Sequence, residues 1–219
     1  MNEITNLMEK RRSVRRFLTK SVEWGKIVNL LHAAKTAPSE GNLQAWKFIV
    51  TKDSKIIKDL AKASYKQMWI NQAPYVIIVV GEVDKSEKNY EKGKFYNTLS
   101  CGACVQNILL KAKDLDLGAC WVSAFDEEEI SDILSIGSSK KPMALIPIGY
   151  PAEKPVKPRK EKLYDLVFIN QWGQKVHDLD LKYKNYRYVE KTLTSFEKVI
   201  KWFNDLPNKI RDLFDSLKK

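Results

Sequence analysis

The chain has 219 residues, 44% hydrophobic and 11% aromatic, which is apolar material for one sizeable core and so for a single main domain. Its 38 Lys and Arg exceed its 27 Asp and Glu for a net charge of +11. The basic residues are spread along the chain, so an anionic small molecule is expected as partner and no specific nucleic acid. Cys101, Cys104 and Cys120 are too few and too clustered for a disulfide framework.

In chain order, Arg11-Arg12-Ser13-Val14-Arg15-Arg16-Phe17 is expected near the end of an opening helical segment. Residues 23–36 place Ile27, Leu30, Leu31 and Ala34 at helical spacing, and Pro38 ends that helix before a loop signalled by Gly41 and Asn42. Strands are predicted at residues 46–51, 75–80, 119–122 and 144–148. Residues 98–115 are apolar on more than one side and predict a central helix buried on most faces. A helix opens at Asp126-Glu127-Glu128-Glu129, where acidic residues offset the positive end of the helix dipole. The order is mixed α and β. After Pro151 the texture changes to prolines and basic residues, an extended crossing segment. From Thr194 onward Phe196, Val199, Ile200 and Phe203 predict an amphipathic helix, continued past Pro207 by Ile210, Leu213, Phe214 and Leu217. Two readings of that tail stand: packing against its own chain or a dimer partner, and binding to a membrane surface. No leader-like segment opens the chain and no apolar run is long enough to span a bilayer, so a cytoplasmic protein is expected.

Four clusters carry chemistry. The arginine run offers forked donors that match phosphate oxygens. Pro38-Ser39-Glu40-Gly41-Asn42-Leu43-Gln44-Ala45-Trp46 is a loop with a hydroxyl and two carboxamides, groups that both donate and accept. Gly118-Ala119-Cys120-Trp121-Val122-Ser123-Ala124 is a strand ending in small residues, which lets a planar ring approach backbone N–H groups. Pro147-Ile148-Gly149-Tyr150-Pro151 is followed by Lys157-Pro158-Arg159-Lys160, which returns positive charge to an anion.

In that order the clusters resemble the nitroreductase family: an Arg-Arg-Ser-x-Arg start, a Pro-Ser-x-x-Asn-x-Gln-x-Trp loop, a central helix with Gln106 and Asn107, and an Ile-Gly-Tyr-Pro strand end. The resemblance covers roughly residues 3–173. It divides the chain into a flavin-binding domain at 1–173 and a basic, amphipathic helical extension at 174–219. It implies an α+β fold with a mostly antiparallel central sheet flanked by helices, in a domain-exchanged homodimer with FMN between subunits. By motif, Arg11, Arg12, Ser13 and Arg15 would contact the FMN phosphate, ribityl chain and ring N1 side, with Arg159 adding to the phosphate. Pro38 and Ser39 open the loop from which Asn42 and Gln44 would reach the ring or ribityl chain, in part from the partner subunit. Ser123 and Ala124 match the position of backbone N–H groups facing flavin N5, and Gly149 lies at the strand end near the phosphate. The sequence departs from the family in having Gln-Ala-Trp where Gln-Pro-Trp is common, and Ser123 where some members have Glu.

The resemblance implies that flavin accepts hydride from NAD(P)H and passes electrons to a nitroaromatic, quinone or related acceptor in ping-pong order, with no catalytic side chain and no metal. Other classes stay open: a flavin-storing or redox-sensing protein without turnover, and a thiol oxidoreductase using Cys101 and Cys104. That Cys-x-x-Cys sits inside a predicted helix, which favours buried packing. A solvated helix face competes for the arginines and turn chemistry for Gln44. His32 and His177 have no partner at metal-ligand spacing.

Overall fold

The computed structural model describes residues 3–175. The unbroken apolar run Tyr75–Gly81 (β2) is buried on both faces, which is why it lacks alternation. It lies second in a four-stranded sheet with Trp46–Thr51 (β1), Gly118–Ala119 (β3) and Lys141–Gly149 (β4), in the order β1-β2-β4-β3, every pair antiparallel. On one face the helices Trp24–Lys35 (α2) and Gly93–Asp114 (α5) pack Leu30, Val105 and Ile108 against Ile77, Val79, Ile146 and Ile148. On the other, Ser54–Ala63 (α3) and Glu127–Leu134 (α6) pack Ile57, Leu60 and Ile130 against Val76, Ile78 and Leu145. Each such aliphatic side chain contributes about 1.5–3 kcal/mol on full burial, so the two layers fix the sheet's flanks.

The four predicted strands are present with altered ends. β4 starts at Lys141, since Pro142 and two lysines mask its pattern, and a register shift at Val79/Val80 accommodates that end. The third strand pairs only at Gly118–Ala119; Val122 then makes one bridge to Leu145. Val14 packs where a Cβ on Gly118 would sit, 2.7 Å from the Val14 Cγ1, so another segment occupies that edge.

The central helix begins at Gly93, before the predicted residue 98, because Gly93, Asn97 and Thr98 are weak helix formers. Gly93 is required there: a Cβ would lie 2.3 Å from the Ser86 carbonyl carbon of the helix Val83–Glu87 (α4). α3 and α4 were not anticipated. The Asp53 carboxylate accepts the N–H groups of Lys55 (2.8 Å) and Ile56 (3.0 Å) to start α3, a cap the sequence carries.

Two compact units divide the chain, Met1–Lys157 and Pro158–Lys219. The sheet and its helices lie in the first. In the second, the chain past Pro158 has no regular element before a short helix at Leu163–Leu166, and Lys175 Nζ lies 3.6 Å from Asp165 Oδ1. The predicted tail helices and His177 lie outside the described residues. Among those described, no helix is long and apolar enough to cross a membrane.

Candidate active site

The first helix, Glu3–Lys10 (α1), stops just before the arginine run, with Arg11 N–H donating to Leu7 O at 3.0 Å. Beyond it the chain is extended, not helical. Val14 N–H donates to Ala119 O (3.1 Å), Ser13 bridges Ala119 in parallel, and Phe17 bridges Pro151 in antiparallel fashion. The run is a strip along the β3 edge, so a solvated helix face is ruled out for it.

Alternate residues of an extended chain share a face, which groups Arg11, Ser13 and Arg15. Burial raises the Cys120 thiol pKa, opposed by the Arg15 charge, a Ser13 hydrogen bond and the Arg11 charge, with the Glu153 charge adding to the rise. The Arg15 guanidinium carbon stands 5.8 Å from the centre of the Trp69 ring. Arg12 turns away. Its Nη1 donates to Glu9 O (2.7 Å) and Arg11 O (2.6 Å), satisfying carbonyls at the α1 C-terminus.

A cavity of about 360 Å³ opens beside this strip, with Lys10, Arg11, Arg12, Lys113 and Lys154 around it against Asp116 and Glu153. Ser123 and Ala124 are exposed further along the same edge, where Ala124 O accepts Gln67 Nε2–H at 3.1 Å. Gly149 is buried; a Cβ there would meet Pro74 Cδ at 2.7 Å and Phe17 Cδ1 at 2.9 Å, so its role in this structure is to let Phe17 close on the strand end. Arg159 is exposed and belongs to the second unit.

The second cluster is elsewhere. Pro38 and Ser39 lead into a 3-10 turn at Glu40–Asn42, and Gly41, Asn42 and Gln44 take left-handed φ angles of 47°, 58° and 49°. Ser39 Oγ accepts Gln44 N–H (3.0 Å), and Gln44 Nε2 donates to Asn42 O and Oδ1, both at 3.3 Å. The loop is tied to the core by Glu40, whose carboxylate accepts the hydroxyls of Ser86 and Ser100. Burial raises the Glu40 pKa, but hydrogen bonds from Ser100 and Ser86 outweigh it and hold the carboxyl below its ordinary value. Asn97 Nδ2 donates to Ala45 O at 2.6 Å, and Asn42 and Gln44 stay exposed.

One chain does not bring these clusters together. The loop enters β1 at Trp46, which pairs with Gly81, itself opposite Lys141 at the start of β4. The arginine strip lies past β3, at the Gly149 end. Along the 9 residues of β4 the offset is roughly 26 Å, and at right angles, across three strand spacings, about 14 Å, a separation of roughly 30 Å.

Sequence reasoning passed over Trp69, Gln67 and Glu153. Glu153 was the visible one, an acid in a stretch otherwise rich in lysine and arginine. Cys101 and Cys104 are buried in α5, and burial pushes both thiols up to about 12, so neither is a thiolate at neutral pH. His32 is exposed, and no group of three metal-ligating side chains occurs among the described residues.

The sequence matches the nitroreductase family over residues 8–82 and 65–150. A solved structure from Bacteroides thetaiotaomicron, provisionally named an NADH dehydrogenase/NAD(P)H nitroreductase, is 33% identical, covers 78% of this chain and 99% of its own, and superposes with a TM-score of 0.70. An FMN-dependent nitroreductase from Clostridium difficile R20291 is 25% identical over 77% of this chain and 99% of its own, with a TM-score of 0.68. An iodotyrosine deiodinase from Thermotoga neapolitana is 26% identical over 187 residues, 74% of this chain and 96% of that one. With its antiparallel sheet and flanking helices, the chain belongs to the nitroreductase family and is an oxidoreductase.

Proposed function

We propose that this protein is an FMN-dependent oxidoreductase that takes electrons from NAD(P)H and delivers them to small electrophilic acceptors, nitroaromatic or quinone, in ping-pong order. It works as a domain-exchanged homodimer with FMN between the subunits, in the cytoplasm, a compartment that suits three unpaired thiols. The observation that carries the reading is the separation of the two clusters to opposite edges and ends of one sheet. A two-fold dimer can set the loop of each copy against the arginine strip of the other, making two equivalent sites.

The donor set fits FMN. Arg11 and Arg12 border a cationic cavity and Ser13 follows on the same strip, guanidinium groups and a hydroxyl suited to a phosphate and ribityl hydroxyls. Asn42 and Gln44 are exposed on a loop held by Ser39 and Glu40, with carboxamides able to meet the carbonyl and N–H groups of a ring edge. Ser123 and Ala124 offer backbone at an open edge. When bound, FMN supplies hydride acceptance and onward electron transfer. Arg15, stacked on Trp69, holds a positive charge where negative charge accumulates on reduction. Gly149 serves by letting Phe17 close on the strand end. The names of the Bacteroides and Clostridium relatives support the nicotinamide and the flavin respectively.

The test is the visible spectrum of the purified protein, followed by anaerobic titration with NADH and then NADPH. Flavin absorbance bleached by a nicotinamide is the expected result. Flavin bound but unbleached would favour storage or sensing, and no flavin after reconstitution would refute the reading.

A further inference from the structure

The run Arg11-Arg12-Ser13-Val14-Arg15-Arg16 has a pair of arginines at each end, so two registers of an extended strip present guanidinium groups to the same side. In the observed one, Arg11, Ser13 and Arg15 share the face toward Cys120 and Trp69, the face on which the FMN reading rests, while Arg12 and Val14 border the neighbouring cavity together with Arg11. A slip of one residue would present Arg12, Val14 and Arg16, losing the hydroxyl. The arginines alone do not choose between them.

The backbone bonds that choose come from two directions. Ser13 and Val14 pair with Ala119 of β3. Arg16 O accepts Ala152 N–H (2.9 Å) and Leu18 N–H donates to Tyr150 O (2.9 Å). Between these ladders lie the N–H groups of Arg15 and Arg16. Both are taken by one oxygen, Glu153 Oε1, at 2.6 and 3.1 Å. Glu153 is half-buried and lines the cationic cavity, yet among the described residues it forms no ion pair. As a bare charge it would oppose an anion in that cavity; as an acceptor of two N–H groups it holds the strip.

Resting on the FMN reading, we propose that Glu153 is a positioning residue: its carboxylate clamps the Arg15 and Arg16 amides and so keeps the Arg11, Ser13, Arg15 face turned to the phosphate-bearing cofactor. The two possible roles of this carboxylate predict opposite signs. Removing a repelling charge would tighten FMN binding, whereas releasing the clamp weakens it.

The experiment titrates FMN into apoprotein by flavin fluorescence for wild type, Glu153→Ala and Glu153→Gln, and measures backbone hydrogen exchange in the flavin-free proteins. Glu153→Ala is expected to raise the Kd roughly tenfold or more, and to accelerate exchange at the Arg15 and Arg16 amides while the β2 and β4 amides keep their protection. Glu153→Gln keeps an accepting oxygen and is expected to stay within about threefold of wild type. Equal or tighter FMN binding by Glu153→Ala overturns the proposal, and so does unchanged exchange at both amides. If Glu153→Ala fails to fold, Glu153→Asp, with the carboxylate withdrawn by one methylene, is read by the same two measurements. Wild-type protein that binds no FMN refutes the cofactor reading instead, and the exchange measurement still decides whether the clamp exists.

Discussion

Arg11 and Arg12 border the same cavity but differ in occupation, because the Arg12 guanidinium is bound to the carbonyls of Glu9 and Arg11. Arg11→Ala is expected to weaken FMN binding about 10- to 100-fold, the loss of a charge-assisted hydrogen bond worth roughly 1.5–3 kcal/mol. Arg12→Ala should leave that affinity within a few fold and instead lower stability by about 0.5–1 kcal/mol, through loss of a cation at the α1 C-terminus. Equal effects of the two on FMN titration would contradict the assignment. Glu40 carries a pH dependence. Its folded carboxyl titrates below the ordinary value of 4.5 because Ser100 and Ser86 outweigh burial. Its contribution to stability is therefore full above that value and is lost as pH falls through the depressed one. The gap in melting temperature between wild type and Glu40→Gln should be widest near neutral pH and close in acid; a gap constant with pH would count against it. Residue types were legible in the sequence at both positions. Arg12's turn toward Glu9 and Glu40's grip on Ser86 and Ser100 were not, since each depends on a backbone geometry, or on a partner distant in sequence.

At the scale of elements, β2 and β4 are identifiable from apolar runs because both faces are buried, and α2 from its spacing. α5 was found with a late start, since its first turn uses Gly93 to pass α4 and Asn97 to bond Ala45, demands of packing that override propensity. α6 was predicted from its acidic start, and its first residues are held by Asp126, which accepts the N–H groups of Glu128 (3.0 Å) and Glu129 (2.9 Å). Asp126→Ala should cost about 1 kcal/mol in denaturant unfolding. FMN affinity should be retained, since the cap faces into the helix; a large loss of affinity would mean that the helix start also shapes the Ser123 edge. The arginine strip is the one element misjudged in kind. Six residues with a single apolar position carry little periodicity, and their extended form is imposed by the partners Ala119, Pro151 and Glu153.

For the whole molecule, two half-sites that one chain keeps apart make a prediction about mixtures. Arg15→Ala and Asn42→Ala should each lower NAD(P)H-dependent flavin turnover severely when purified alone. Coexpressed, they should recover about a quarter of wild-type sites, because half the dimers are mixed and each mixed dimer holds one intact site. No recovery in a sample shown to contain mixed dimers would mean that both residues serve the same site from one subunit. Sequence alone determined the composition of the core, the central strands and most helices, and the four motifs that mark the family. These are local patterns whose physics lies in burial and spacing along the chain. Only the tertiary structure decided that Asn42 and Arg15 stand at opposite ends of the sheet, that Arg12 closes a helix, and that Glu153 holds the strip. Each of those depends on which distant segments the strand order β1-β2-β4-β3 makes into neighbours, and strand order leaves no periodic trace in the residues themselves.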